Sequence, residues 1–155
     1  MTTALIKPGV GGPESAVASP ARPVLLATLD APVLAEASRM AVDSAVESGQ
    51  PLLVVNAVEM ALTRCALTFG QLYITPPSVE ESLSAPAELA NSLGVQVERI
   101  CLNSPRPIDA LVDLTAEREV GLLVLGADPG SMRRWRYRRC VRKVLERSPC
   151  LVWVP

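Results

Sequence analysis

The stretch Gly121-Leu122-Leu123-Val124-Leu125-Gly126-Ala127-Asp128-Pro129-Gly130, continued by an arginine-loaded segment from Ser131 to Arg147 and closed by Leu151-Val152-Trp153-Val154, decides the fold. Leu122 to Leu125 is a short, wholly apolar run of the kind that forms a strand buried on both faces. The Gly-Ala-Asp-Pro-Gly turn follows, then a helix, then a second apolar strand. A buried strand that ends in glycine and opens into a helix builds a crevice at the carboxyl end of a parallel sheet. Backbone N–H groups at the helix start can face an anion there.

Outward from this stretch the pattern repeats. Val24 to Leu29 reads as a buried first strand ending at Asp30. Pro32 suits the first turn of a helix, whose inner face carries Val33, Ala37, Met40, Ala41, Ser44 and Ala45 and which Gly49 closes. Leu52 to Val58 is a second buried strand. Ser78-Val79-Glu80-Glu81 has capping-box spacing and predicts a helix start, with Pro86 as a kink or restart and Gly94 as the end. Val95 to Leu102 alternates polar and apolar positions, which predicts a more exposed strand at the sheet edge. Pro105 and Pro107 lead into a helix burying Ile108, Leu111, Val112 and Thr115. Tyr137, Cys140, Val141, Val144 and Leu145 form the inner stripe of the last helix, which ends at Ser148-Pro149. Four strand–helix units and a closing strand predict an α/β domain: a doubly wound, five-stranded parallel sheet with helices on both faces.

Two segments stand apart. Residues 1–22, rich in proline and glycine, read as a flexible arm preceding a domain over residues 23–155. The apolar stretch 59–77 is long for a connection and reads as a flap or as packing against the domain's own core.

Composition narrows the chemistry. The 155 residues include no histidine, which excludes histidine-based triads and histidine-ligated metals. The four cysteines (Cys65, Cys101, Cys140, Cys150) lack close pairs, so buried thiols in a reducing cytoplasm are expected rather than disulfides or a metal site. No run reaches the length of a membrane span. The net charge of −1 conceals a polarity: Ser131 to Arg147 holds eight basic residues and one acid, so this helix segment carries +7 against −8 elsewhere. A local positive face on an acidic body points to an anionic ligand or an acidic protein partner; a solvated basic helix accounts for it equally.

Three matches in order resemble the universal stress protein family, covering about Arg22 to Pro155. The first strand ends in Asp30-Ala31-Pro32. Ala116 to Gly126 is similar to the helix and strand leading to that family's phosphate loop. Lys143 to Val152 is similar to its closing helix, Pro-Cys and strand. The resemblance implies the adenine nucleotide alpha hydrolase-like fold. It also implies an ATP site in which Thr28, Leu29 and Asp30, with Ala57, line the adenosine position and Leu125, Gly126 and Gly130 approach the phosphates. Asp30 would accept from a ribose hydroxyl or a base amine, or serve only as a turn residue. The family's Gly-x-x-Gly is displaced, with the second glycine one place late at Gly130. Its distal Gly-Ser pair falls on Arg138-Arg139.

The expected function is therefore a non-enzymatic, universal-stress-type regulatory module in the cytoplasm, with weak or lost ATP binding. By the same resemblance Leu151, Val152, Trp153 and Val154 pair with their twins in a homodimer, although Trp153 also suits ordinary core. The alternative is an adenine-nucleotide-binding protein or slow ATPase in which Arg138 and Arg139, with the anion patch Arg133, Arg134 and Arg136, replace the glycine cradle. Nucleic-acid binding is not favoured: the sequence pI is about 5.5 and the basic patch is a single helix. No catalytic or metal-ligating residue is assigned.

Overall fold

A computed structural model describes residues 21–60 and 74–155. Residues 1–20 of the expected arm over 1–22, and residues 61–73 of the apolar stretch, including Cys65, lie outside the described residues. Among the described residues, five strands alternate with four helices: β1 (Val24–Thr28), α1 (Ala35–Ser48), β2 (Leu52–Glu59), α2 (Pro77–Ser92), β3 (Val97–Ser104), α3 (Pro107–Glu117), β4 (Leu122–Leu125), α4 (Arg134–Arg147) and β5 (Leu151–Trp153). A 3-10 turn, Pro129–Ser131, precedes α4. The strands pair in the order β3-β2-β1-β4-β5, all parallel, with Val24 level with Leu52 on one side and Leu122 on the other. β1 is therefore the switch point: the chain builds outward to β3, then returns to build on the opposite side.

Strand alternation divides the core in two. Leu26, Val54 and Val124 face one side, packed with Ala37, Ala41 and Ala45 of α1 and Leu83, Ala87 and Ala90 of α2. Leu25, Val55, Leu123 and Leu125 face the other, packed with Ile108, Leu111 and Leu114 of α3 and Val144 of α4. The alanine face of α1 lets that helix lie close to the sheet. Each fully buried leucine contributes roughly 1.5–3 kcal/mol by leaving water.

The doubly wound expectation holds, and β3 lies at the sheet edge. Several local details differ. Val33 is not helical: it forms an isolated bridge with Ala127, while Leu34 N–H donates to Gly126 O at 2.9 Å, so α1 starts only at Ala35. Ser78 does not cap α2. The helix begins at Pro77, and Pro76 O accepts from Val79 and Glu80 N–H at 3.0 Å each, leaving Ser78 inside the first turn. Pro86 neither breaks nor restarts α2; its ring is buried and the helix runs through it. That packing offsets the roughly 3 kcal/mol a mid-helix proline costs.

Leu145 is exposed rather than part of an inner stripe, and only Val144 of α4 is fully buried. α4 meets the core through Val144, with Cys140 and Val141 only partly buried beside it. Cys101 is exposed on edge strand β3 instead of buried; Cys140 and Cys150 are half-buried and all three are free thiols. Burial pushes all three thiols above their usual pKa, with Asp30 and Glu80 adding to the rise at Cys101. No helix among the described residues is long and apolar enough to cross a membrane.

Candidate functional site

Two connected cavities open at the carboxyl ends of the strands, beside the switch point, where α/β sheets place ligands. The inner one, about 480 Å³, lies over the ends of β1 and β2 and is lined by Leu29, Asp30, Ala31, Ala57 and Glu59. The outer one, about 1000 Å³, lies between the start of α3, the 3-10 turn and one face of α4. Glu59, Pro107, Ile108, Ser131, Met132, Arg136 and Cys140 border both.

The inner floor is held by buried polar groups. Thr28 is fully buried and its hydroxyl donates to Ala31 O at 2.5 Å, reversing the chain after β1. Asp30 adopts a left-handed backbone with φ of 54°, which aspartate tolerates better than most residues. Its N–H donates to Asn56 Oδ1 at 2.9 Å. Asn56 is 3% exposed, and its Nδ2 has no hydrogen-bond partner among the described residues.

The turn after β4 occupies three of its N–H donors, those of Gly126, Asp128 and Gly130. Gly126 N–H donates to Ala27 O at 2.8 Å and Asp128 N–H to Pro32 O at 3.0 Å. Asp128 then folds its carboxylate over the turn: Oδ1 accepts from Gly130 N–H at 2.8 Å, and Ser131 Oγ lies 3.5 Å from Oδ2. Gly126 itself faces α1. A Cβ there would meet Val33 Cγ1 at 2.8 Å and Ala37 Cβ at 2.9 Å. The room this glycine gives is thus to a helix.

The outer cavity is a cationic wall. Arg133, Arg136, Arg139 and Lys143 line it from α4 at three- and four-residue spacing, and Arg106 faces them from the start of α3. Arg136 pairs with Glu59 at the border of the two cavities. Lys143 Nζ lies 2.9 Å from Asp109 Oδ1, and Arg147 pairs with the same carboxylate. Arg106, Arg133 and Arg139 form no ion pair among the described residues. Neither α3 nor α4 has a side chain capping its N-terminus, so two positive helix ends abut the same cavity. A basic residue at a helix start costs about 0.3–1 kcal/mol when exposed.

Lys143 first, and then Arg147, hold the Asp109 carboxyl below the ordinary aspartate range. A lowered folded pKa contributes stability above the unfolded value, about 3.9, that is lost as pH falls through the folded one. Asp109→Asn should therefore lose that contribution at pH 7 and flatten the acid limb of a urea-midpoint series, the two proteins converging as pH falls through the acid transition.

Of the residues singled out from sequence, Leu29, Asp30, Ala57, Gly130, Arg133, Arg136 and Arg139 line these cavities. Thr28, Leu125 and Gly126 are buried beneath or behind them. Arg134 and Arg138 are exposed away from the cavities. Arg138 and Arg139 lie in the second turn of α4, as the helical reading of this segment expects, and of the two only Arg139 lines the cavity. Sequence reasoning missed Glu59, Arg106 and Lys143. Arg106 sits between the two prolines that start α3, and Lys143 continues the spacing of Arg136 and Arg139. Leu151 to Trp153 forms the sheet edge beyond β4: Leu151 is exposed, while Trp153 packs partly against the α1 side of the core.

The model of the universal stress protein family matches residues 20–154. Comparison with curated protein sequences gives no significant match. Among solved structures, a universal stress protein from Archaeoglobus fulgidus aligns with a TM-score of 0.60 at 18% identity, over 86% of this chain and 92% of its own. A universal stress protein in complex with cAMP aligns at 0.60 and 22%, over 88% and 98%. A family protein from Arabidopsis thaliana with AMP bound aligns at 0.55 and 14%, over 86% and 89%. With the strand order and the switch-point crevice in place, the chain belongs to the universal stress protein family.

Proposed function

We propose that this chain is a non-enzymatic regulatory module of the universal-stress type, acting as a homodimer, in which nucleoside recognition is weak or lost. The observation that carries the reading is the Asp128 carboxylate. It accepts the Gly130 N–H that a phosphate would need and places a negative charge in the turn itself. A phosphate approaching here meets an occupied donor and a like charge, and each lost charge-assisted hydrogen bond removes about 1.5–3 kcal/mol. Relatives solved with cAMP, dAMP and AMP make adenine nucleotides the ligand class to test. Dimerisation is supported by β5, an apolar edge strand with Leu151 74% exposed, which pairing with a twin would cover.

The test is native mass spectrometry with thermal shift. A dimer is expected, dissociated by Val152→Lys, with less than about 1 °C of stabilisation by AMP or cAMP at concentrations that saturate ordinary nucleotide sites. A monomer would remove the dimer clause. Stabilisation of several degrees by AMP would establish a working nucleoside pocket instead.

A further inference from the structure

We propose that the outer cavity is a binding site for a condensed phosphate chain, tripolyphosphate or longer, held by Arg106, Arg133, Arg139 and Lys143 without help from a nucleoside. The inference rests on the reading that the turn after β4 no longer serves phosphate. It adds where phosphate goes instead.

Three features of the cavity select this ligand. The first is unspent positive charge. Arg106, Arg133 and Arg139 converge from two helices with no ion pair among the described residues, and two uncapped helix starts add their dipoles in the same direction. Guanidinium forks hold phosphate oxygens two at a time, and several around one cavity suit a ligand carrying charge along its length.

The second is shape. These side chains line a concavity of about 1000 Å³, a volume proper to a small molecule. Arg134, Arg138 and Arg142, the cations an acidic protein surface would meet on the helix exterior, lie off it.

The third is the border with the inner cavity. Glu59, paired to Arg136, stands at the junction. A nucleotide seated on Asp30 and Ala57 would have to carry its first phosphates past that carboxylate. A free chain lies wholly on the cationic side. A nucleoside triphosphate would enter by its tail alone, its base contributing nothing.

Calorimetry with sodium tripolyphosphate tests the site, with orthophosphate, AMP, ATP and a poly-glutamate peptide as comparison ligands. Tripolyphosphate is expected to bind, to raise the melting temperature by roughly 5 °C at a hundredfold excess over Kd, and to weaken steeply with salt. ATP should bind no tighter than tripolyphosphate, and orthophosphate at least tenfold more weakly. Arg133→Ala and Arg139→Ala should each weaken tripolyphosphate about fivefold to tenfold. Arg138→Ala, which removes the same charge from the same helix off the cavity, should weaken it less than twofold.

Absence of tripolyphosphate binding would overturn the proposal. Equal losses in Arg138→Ala and Arg139→Ala would do so too, by reducing the effect to a general field. Tighter binding of poly-glutamate would make the face a protein-docking surface. Displacement of tripolyphosphate by AMP would make the two cavities one nucleotide site. AMP bound without displacement would refute the loss of nucleoside recognition while supporting a separate phosphate site.

Discussion

Gly126→Ala is expected to destabilise the fold by about 2–3 kcal/mol, read as a lower urea midpoint at unchanged slope, whether or not any ligand is present. The new Cβ would stand 2.8 Å from Val33 Cγ1, 2.9 Å from Ala37 Cβ and 3.2 Å from Leu26 Cδ1. Leu26 can adjust because its contact is the end of a flexible side chain. Ala37 cannot, because its Cβ moves only with α1, and α1 is seated on the sheet through Ala37, Ala41 and Ala45. Overpacking of this kind costs typically 1–3 kcal/mol. Gly126 is also tied by two backbone hydrogen bonds, to Ala27 O and from Leu34 N–H, so the turn has little freedom to yield. Val33→Ala removes the nearest clashing atom. The double variant Val33→Ala/Gly126→Ala should lose about 1 kcal/mol less than the sum of the two single losses. Additive losses would mean that the glycine answers to Ala37 alone. An unchanged midpoint in Gly126→Ala would show that it serves the turn's chemistry and not the helix seat.

That glycine illustrates what the sequence could and could not disclose. The strand–helix alternation was legible because each buried strand is apolar in nearly every position, and parallel pairing leaves few other ways to cover such runs. Gly49 and Gly94 marked helix ends through positive φ values of 65° and 82°. Gly126 was visible as a landmark of the turn after β4, but its neighbours come from Val33 and Ala37, about ninety residues earlier. No local pattern states such a contact. The same limit explains the site. Arg133, Arg136 and Arg139 announced a basic helix, yet the wall becomes a cavity only when Arg106 and Glu59 arrive from α3 and β2. Asp128 read as a turn former, which it is. That its carboxylate takes the Gly130 N–H follows from the turn's geometry and not from the motif.

Asn56→Asp should lower stability by on the order of 3–4 kcal/mol at pH 7, with most of the loss recovered near pH 4. Asn56 is 3% exposed, and its Oδ1 accepts from the N–H of Asp30, the residue that turns the chain after β1. An aspartate of the same shape keeps that acceptor. It replaces the Nδ2 group, which has no partner among the described residues, by an oxygen carrying charge in a place equally short of donors. Burial disfavours the charged form, so the carboxyl's folded pKa rises above the unfolded value of about 3.9. The folded state then binds the proton more tightly than the unfolded state. Stability is full below the unfolded value and falls as pH climbs toward the raised folded one, at about 1.4 kcal/mol per unit of elevation. This is opposite in sign to Asp109, whose lowered pKa makes acid the destabilising direction. Asn56→Ala separates the causes, because it loses the hydrogen bond to Asp30 and leaves a cavity but introduces nothing to titrate. Its loss should be about 1–3 kcal/mol and flat between pH 4 and 8. Parallel pH profiles for the two variants would mean that water reaches Asn56 and the floor of the inner cavity is wet. A steep profile for the aspartate alone establishes a dry, rigid floor that holds Asp30 in its left-handed turn.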